Sequence, residues 1–535
     1  MCAPLLLGTH AMAVGDIAGV AALIRSLRTG EEAANLPTGC GDMFDATRPV
    51  AVSRAPGRLD VIGGIADYSG SLVLQMPISE GAFAAVQLGE AGQSGKAMIR
   101  AVSLAHPAYE APLSDLYAGV GGEPTSLTDL RTKLGKSEET KWAAYVVGVL
   151  GVLAHEPETR EAVKNCAGCS ILVASAVPEG KGVSSSASVE VATMMAALGA
   201  LGVTIAPPER IALLCQRVEN FVVGAPCGIM DQMASALGHK GKLLPLLCQP
   251  HAVQPPLRIP PQARFWGIDS GVRHSVGGSD YGTVRAATFM ARAVLRKVLR
   301  ERALSAASAS PSPLALPADV IKLEHLVEIS PSLFAELAPE LPLAMSGRDF
   351  LKAHGSHDDD ATQVEPETIY DLRGCAAHPI HEHFRVSTFR AVLESLHATA
   401  DADANTTTAA SRPLLEILGE LMFASHASYS AVGLGSGATD SIVQLVRSLG
   451  PQSGLYGAKI TGGGSGGTVC VLGDATAAAE ASLQKVLADY TRLSGHTPHV
   501  FTGSSEGAIA FGHHLLNLSS EQQPSAGGKR KGRGD

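Results

Sequence analysis

This 535-residue sequence has no uninterrupted apolar run approaching the ~20 residues of a membrane helix. It also has no Gly-x-x-x-x-Gly-Lys-Ser/Thr phosphate loop. The first absence argues against a membrane protein, and the second excludes the common nucleotide-binding loop. Charge is sparse at 17% of residues, and its balance is acidic, a net −9, which argues against a nucleic-acid binder. Met1-Cys-Ala-Pro-Leu-Leu-Leu-Gly8 lacks the basic start of a secretory signal, so no export is expected. The nine cysteines are odd in number and scattered through apolar stretches, as reduced thiols of a cytosolic protein are. Cys166 and Cys169 have metal-like spacing but no second pair, so two ordinary thiols at a strand start are expected. A hydrophobic share of 45% over this length describes a soluble globular enzyme of two to four domains.

The first 45 residues form an Ala/Gly-rich N-terminal extension with one plausible helix, Ala13 to Thr29. Arg25 and Arg28 there would suit a transit peptide, but Asp16, Glu31 and Glu32 argue against one. Residues 46–256 alternate strand-like and helix-like runs and are read as one lobe. Residues 257–518 form a second mixed region, opening on a strand-like Phe265–Asp269 and a long basic helix, Thr283 to Ala303. Small polar low-complexity stretches near 305–316 and 399–412 read as surface insertions within it. The tail 519–535, ending in Lys529-Arg-Lys-Gly-Arg533, reads as disordered; a nucleic-acid or nuclear role is its alternative.

The most informative stretch is Pro178-Glu-Gly180-Lys181-Gly182-Val-Ser184-Ser185-Ser186-Ala187-Ser188. It follows a strand-like run, Cys169–Val177, and opens a helical one, Ser188–Ala197. A glycine-rich turn entering a helix aims unpaired N–H groups and the positive helix dipole at one point, which makes a phosphate cradle. Three consecutive serines add hydroxyls for phosphate or magnesium. The competing reading is a plain Ser/Gly helix cap.

Upstream, Arg54-Ala-Pro56-Gly57-Arg58 reads as a turn between apolar runs, with Arg58 and Asp67 as charges that must be paired or used. An internal Arg–carboxylate pair holding that turn would account for them equally. Downstream, Glu219 is a hard oxygen ligand suited to magnesium, and Asp231 follows a Pro226-Cys227-Gly228 turn at a helix start. Thr461-Gly-Gly-Gly464-Ser465-Gly-Gly467 is a glycine-rich turn before a strand, Val469–Leu472.

In this order the Pro-Gly-Arg segment, the serine loop and the Thr-Gly-Gly-Gly-x-Gly-Gly turn resemble the three motifs of GHMP small-molecule kinases. Ala55–Arg58, Asp67-Tyr68, Trp142-x-x-Tyr145, Pro226–Gln232 and Val272-Arg-His-Ser275 are similar to the galactokinase branch. Gly63–Ser71, Glu179–Val183 and Ser425–Ser430 with Gly433–Ser436 resemble plant-type L-arabinokinases most. Those carry a long N-terminal glycosyltransferase-like region that has no counterpart in this sequence.

The resemblance implies a two-lobed α+β fold: an N-terminal lobe like ribosomal protein S5 domain 2, a ferredoxin-like C-terminal lobe, and the active site in the cleft between. It further implies ATP phosphates on Gly180, Lys181, Gly182 and Ser184 to Ser188, and magnesium on Ser186, with Ser185 as the near alternative, and Glu219. Lys181 as a solvated loop lysine is the other reading. Asp231 would face the anomeric hydroxyl, with Arg58 lowering its pKa and offsetting charge on the moving phosphoryl group. Asp67, Tyr281, Gly463 and Gly464 would meet the sugar.

The departures inform the substrate. Gly64 and Ile65 stand where galactokinases usually have a Glu-His pair facing the exocyclic hydroxymethyl end of galactose. Their loss leaves an apolar, partly filled corner, which disfavours a buried hydroxyl and suits L-arabinopyranose, galactose's ring without that group. Asp60 replaces the usual Asn, and Ser465 a common aromatic. The expected activity is ATP- and Mg²⁺-dependent L-arabinose 1-phosphorylation in the cytoplasm. A galactokinase, another sugar 1-kinase, or a non-catalytic sugar and ATP sensor are the alternatives.

Overall fold

The computed structural model describes residues 17–29, 43–89, 97–118, 122–273, 279–308, 322–400 and 407–518. The basic tail, His274, Ser275, residues 309–316 of the first low-complexity stretch and 401–406 of the second lie outside the described residues. Among the described residues, no helix is long and apolar enough to cross a membrane.

Helix α1 (Ile17–Thr29) lies on one face of a nine-stranded sheet through Val20, Leu23 and Ile24. The sheet is built around β1 (Val50–Ile62) and β2 (Leu72–Leu88), with β3 (Met98–Ser103), β4 (Tyr109–Pro112), β5 (Cys169–Ser175) and β6 (Lys242–Leu247). Helices α2 (Ala143–His155), α3 (Ser185–Leu201) and α4 (Met230–Leu237) cover its other face. Helix α3 is apolar over most of its surface and largely buried, as expected of a helix packed on both sides. Gly202, in the left-handed conformation at φ 66°, ends it.

Two sequence expectations change here. Ser71–Met76 and Gly81–Gln87 are halves of one strand, β2, each half paired with a different neighbour beside β1. Pro56-Gly57 makes no turn: β1 runs straight through it, and its register with β2 slips between Pro56 and Arg58. A bulge accommodates a proline that a regular ladder would exclude.

The second lobe starts with β7 (Ala263–Asp269) and the long helix α5 (Ser279–Ser308), followed by short elements from Leu326 to Asp371 that pack against α5. Helices α6 (Leu372–Ala400), α7 (Thr407–Ala431) and α8 (Gly437–Leu449) come next, then β8 (Leu455–Ile460), β9 (Thr468–Asp474) and α9 (Ala477–Ser494). Strands β8, β9, β7 and Val500–Phe501 form an antiparallel four-stranded sheet. The two low-complexity stretches begin or end as helix, since α5 reaches Ser308, α6 reaches Ala400 and α7 starts at Thr407.

A continuous apolar core joins the lobes, with Leu59, Leu74 and Met76 of the first sheet against Phe265, Phe389, Met422 and Leu472. The chain then returns: His513–Leu516 pairs antiparallel with β1, so this stretch, read from sequence as second lobe, belongs to the first sheet. The cysteines at 166, 169, 215, 227, 248, 375 and 470 are all free thiols.

Candidate active site

Just past the bulge, β1 points Arg58 into the space between the lobes, and the start of α4 brings Asp231 to meet it. Arg58 Nε and Nη2 both donate to Asp231 Oδ1, at 2.9 and 2.7 Å, and Nη1 donates to the Gly182 carbonyl at 2.7 Å. The guanidinium is nearly inaccessible, whereas Asp231 remains 24% exposed toward the cleft. One arginine thus orients the acid and the glycine-rich loop together. Gly57 lets the loop close on β1, because a β-carbon there would lie 2.6 Å from the Val183 carbonyl.

The loop ends in Ser184, whose φ of 63° and ψ of 48° are left-handed, a conformation costing a non-glycine residue roughly 1–2 kcal/mol. Its side chain makes no capping bond, and its buried Oγ lacks a protein partner. The plain-cap reading therefore fails. The N–H groups of Ser185, Ser186 and Ala187 open the helix, while the Ser188 N–H is already bonded to the Ser184 carbonyl and its hydroxyl to Ser185. Ser188 and the Ala187 methyl group are buried behind the cradle.

The glycine-rich turn 461–467 meets this loop backbone to backbone. Added β-carbons would lie 2.9 Å from the Gly182 carbonyl at Gly462 and 2.8 Å from the Lys181 carbonyl at Gly467. Thr468 Oγ1 donates to the same Lys181 carbonyl at 2.8 Å. Lys181 is no solvated loop lysine: its Nζ pairs with Asp269 Oδ2 of β7 at 3.0 Å, bracing the loop against the second lobe while still lining the cleft.

Glu219 lies on a π-helical turn, Val218–Val223, that continues from Glu209–Arg217 and turns the carboxylate inward beneath the serines. Ser186 bonds to it, and Gln232 Nε2 donates to its Oε2 at 2.6 Å and to Glu190 Oε2 at 3.3 Å. Burial first, then the nearby Asp231 charge, pushes the Glu219 pKa up to about 7. Glu219 and Ser186 together offer one carboxylate and one hydroxyl, hard oxygen donors of the kind magnesium takes.

On the far side of Asp231 stand Asp67, Ile65, Tyr281 and Gly463, all lining the cleft. Burial, reinforced by Asp231, raises the Asp67 pKa to about 7, and Arg285 partly offsets this. Gly228 makes the space Asp67 fills, since a β-carbon there would fall 1.6 Å from Asp67 Oδ2. Gly64 and Gly464 do not line the cleft. A β-carbon on Gly64 would lie 1.4 Å from the Tyr429 hydroxyl, so the corner expected to be partly empty is filled from α7. Asp60 has a buried partner that explains its departure from Asn: Lys459 Nζ at 2.6 Å.

The cleft encloses 1490 Å³ and extends beyond the serine loop into an arm walled by Leu104, His106, Trp142, Tyr145 and Val177. His106 stacks on Trp142 with ring centroids 5.6 Å apart and bonds Glu179 at 2.6 Å. Sequence reasoning missed His106, and Trp142 and Tyr145 entered only through resemblance. One of just two tryptophans in the chain was the available signal.

Family models match residues 144–239 (GHMP kinases N terminal domain), 42–88 (galactokinase galactose-binding signature) and 409–489 (GHMP kinases C terminal). The chain is 42% identical over 512 residues to L-arabinokinase of Arabidopsis thaliana, covering 88% of this chain. It spans 47% of that relative's length. Galactokinases of Homo sapiens (32% identical, 52% of this chain and 65% of that protein) and Chloroflexus aggregans (27%, 84% and 90%) are also similar. Among solved structures, Lactococcus lactis galactokinase complexed with galactose superposes with a TM-score of 0.63 at 20% identity, covering 93% of this chain and all of that one.

Proposed function

Because the chain has GHMP kinase N- and C-terminal domains, a galactokinase signature and the matching fold, we propose that it phosphorylates the anomeric hydroxyl of L-arabinose from ATP. The observation that carries this reading is the Arg58–Asp231 pair facing a cradle of open N–H groups across one cleft.

The sugar would lie between Asp231 and Asp67, with Tyr281, Ile65 and the Gly463 backbone around it. The ATP phosphates would take the open N–H groups of Ser185 to Ala187 and the unpartnered Ser184 hydroxyl, with adenine in the arm beside Trp142 and Tyr145. Magnesium, on Glu219 and Ser186, would supply charge neutralisation to the phosphates. Asp231 accepts the proton leaving the anomeric hydroxyl, and Arg58 fixes its position through Oδ1 while making no bond to Oδ2. A loose phosphoryl transfer needs such placement more than a strong base.

Purified protein with Mg-ATP should release ADP with L-arabinose well above D-galactose or D-glucuronate at equal concentration. Preference for either of the others would overturn the substrate, and silence with every sugar would overturn the kinase.

A further inference from the structure

Three successive backbone N–H groups at the sugar end of the cleft are each held by a buried side chain. Gly63 donates to Glu382 Oε1 at 3.1 Å, Gly64 to Asp60 Oδ1 at 3.0 Å, and Ile65 to the Tyr429 hydroxyl at 2.8 Å. Tyr429 in turn donates to the Gly462 carbonyl at 3.0 Å. Its hydroxyl therefore joins the Ile65 segment of the first lobe to the glycine-rich turn of the second, where Ile65 and Gly463 face the cleft.

We propose that the Tyr429 hydroxyl determines sugar specificity by occupying both the volume and the two backbone partners that an exocyclic 6-hydroxyl would need. This deepens the proposed function and rests on it. An N–H and a carbonyl brought together at one point would suit a substrate hydroxyl, which both accepts and donates. Here the protein supplies that hydroxyl itself, and a hydroxymethyl group arriving at the corner meets an occupied space and no free partner. The preferred substrate is then an aldopyranose of galactose configuration with hydrogen at that carbon.

The tyrosine is not free to retreat. Its ring is fully buried, with its edge against His378 at 5.1 Å between centroids and Lys459 Nζ 5.3 Å from its centre. Lys459 is fixed by Asp60, and Glu382 by Ser425 and Arg385. The Ser425–Ser430 motif and the Gly63–Asp67 motif, distant in sequence, thus form one corner. Gly64 is required there because any larger residue would displace the hydroxyl.

The test compares kcat/KM for L-arabinose and D-galactose in the wild type and in Tyr429→Phe. The ratio within one preparation does not depend on how much of it is folded, so a merely structural role would leave it unmoved. The proposal predicts that Tyr429→Phe lowers the arabinose-to-galactose ratio by about tenfold or more, because the freed Ile65 N–H and Gly462 carbonyl become partners for the 6-hydroxyl. An unchanged ratio overturns it. On the wild-type protein, 6-deoxy-D-galactose gives a second reading: a filled corner rejects it as strongly as D-galactose, whereas turnover close to that of L-arabinose overturns the proposal. A wild type inactive toward every sugar would instead overturn the kinase reading beneath it.

Discussion

Arg58 places two of its nitrogens on a single oxygen of Asp231, at 2.9 and 2.7 Å, and its third on the Gly182 carbonyl. Asp231 and the glycine-rich loop before α3 are thereby held by one side chain, so neither shifts without the other.

Asp231→Asn keeps the Arg58 contact but removes the proposed proton acceptor. It should lower kcat by about 10²–10⁴ with little change in sugar KM, measured by steady-state ADP release. Arg58→Lys should cost about 10²–10³, because an ammonium cannot reach Asp231 and Gly182 together.

Gln232 bridges two buried carboxylates, Glu219 and Glu190. Gln232→Met removes the group that orients Glu219 while leaving the proposed ligand in place. The Mg²⁺ concentration for half-maximal rate should rise about 10–100-fold, read from a magnesium titration at fixed ATP.

The folded-state pKa of Asp67, raised from 3.8 to about 7, fixes a pH dependence. Its folded form binds a proton more tightly than the unfolded chain does, so this stabilisation is complete below about pH 4 and is lost as the pH rises through 7. Asp67→Asn should therefore be more stable than wild type at pH 8, by on the order of 2–4 kcal/mol. The difference should shrink steadily toward pH 4, as followed by denaturant unfolding across that range. The variant should lose sugar affinity throughout.

Gly467 has φ of 80°, and a β-carbon there would press on the Lys181 carbonyl at 2.8 Å. Gly467→Ala should push the glycine-rich turn off the phosphate loop, raising the KM for ATP and lowering the melting temperature. The expected loss of about 1–3 kcal/mol comes from backbone strain together with that contact.

What could be read in advance was local. A serine loop entering a helix and a helix starting at Asp231 were legible within a dozen residues, whereas the role expected of Asp231 came from resemblance. The bulge at Gly57 could not be read, because whether Pro-Gly turns or slips depends on the β2 strand beside it. Lys181 had no visible partner, since Asp269 reaches it only once β7 is folded into the second sheet. The Gly64 corner was recognised as trimmed, but what fills it comes from α7. Tyr429 carries no local sign of that use, and its role follows from the lobes meeting. Asp60 looked like a minor change until Lys459 arrived beside it.

Phosphorus NMR of the product formed from Mg-ATP and L-arabinose tests the central claim most directly, because it locates the transferred group. If Asp231 faces the anomeric hydroxyl, the new phosphate resonance couples to the proton on carbon 1, and Asp231→Asn fails to produce it. A phosphate on another carbon, or inorganic phosphate alone, would contradict the account.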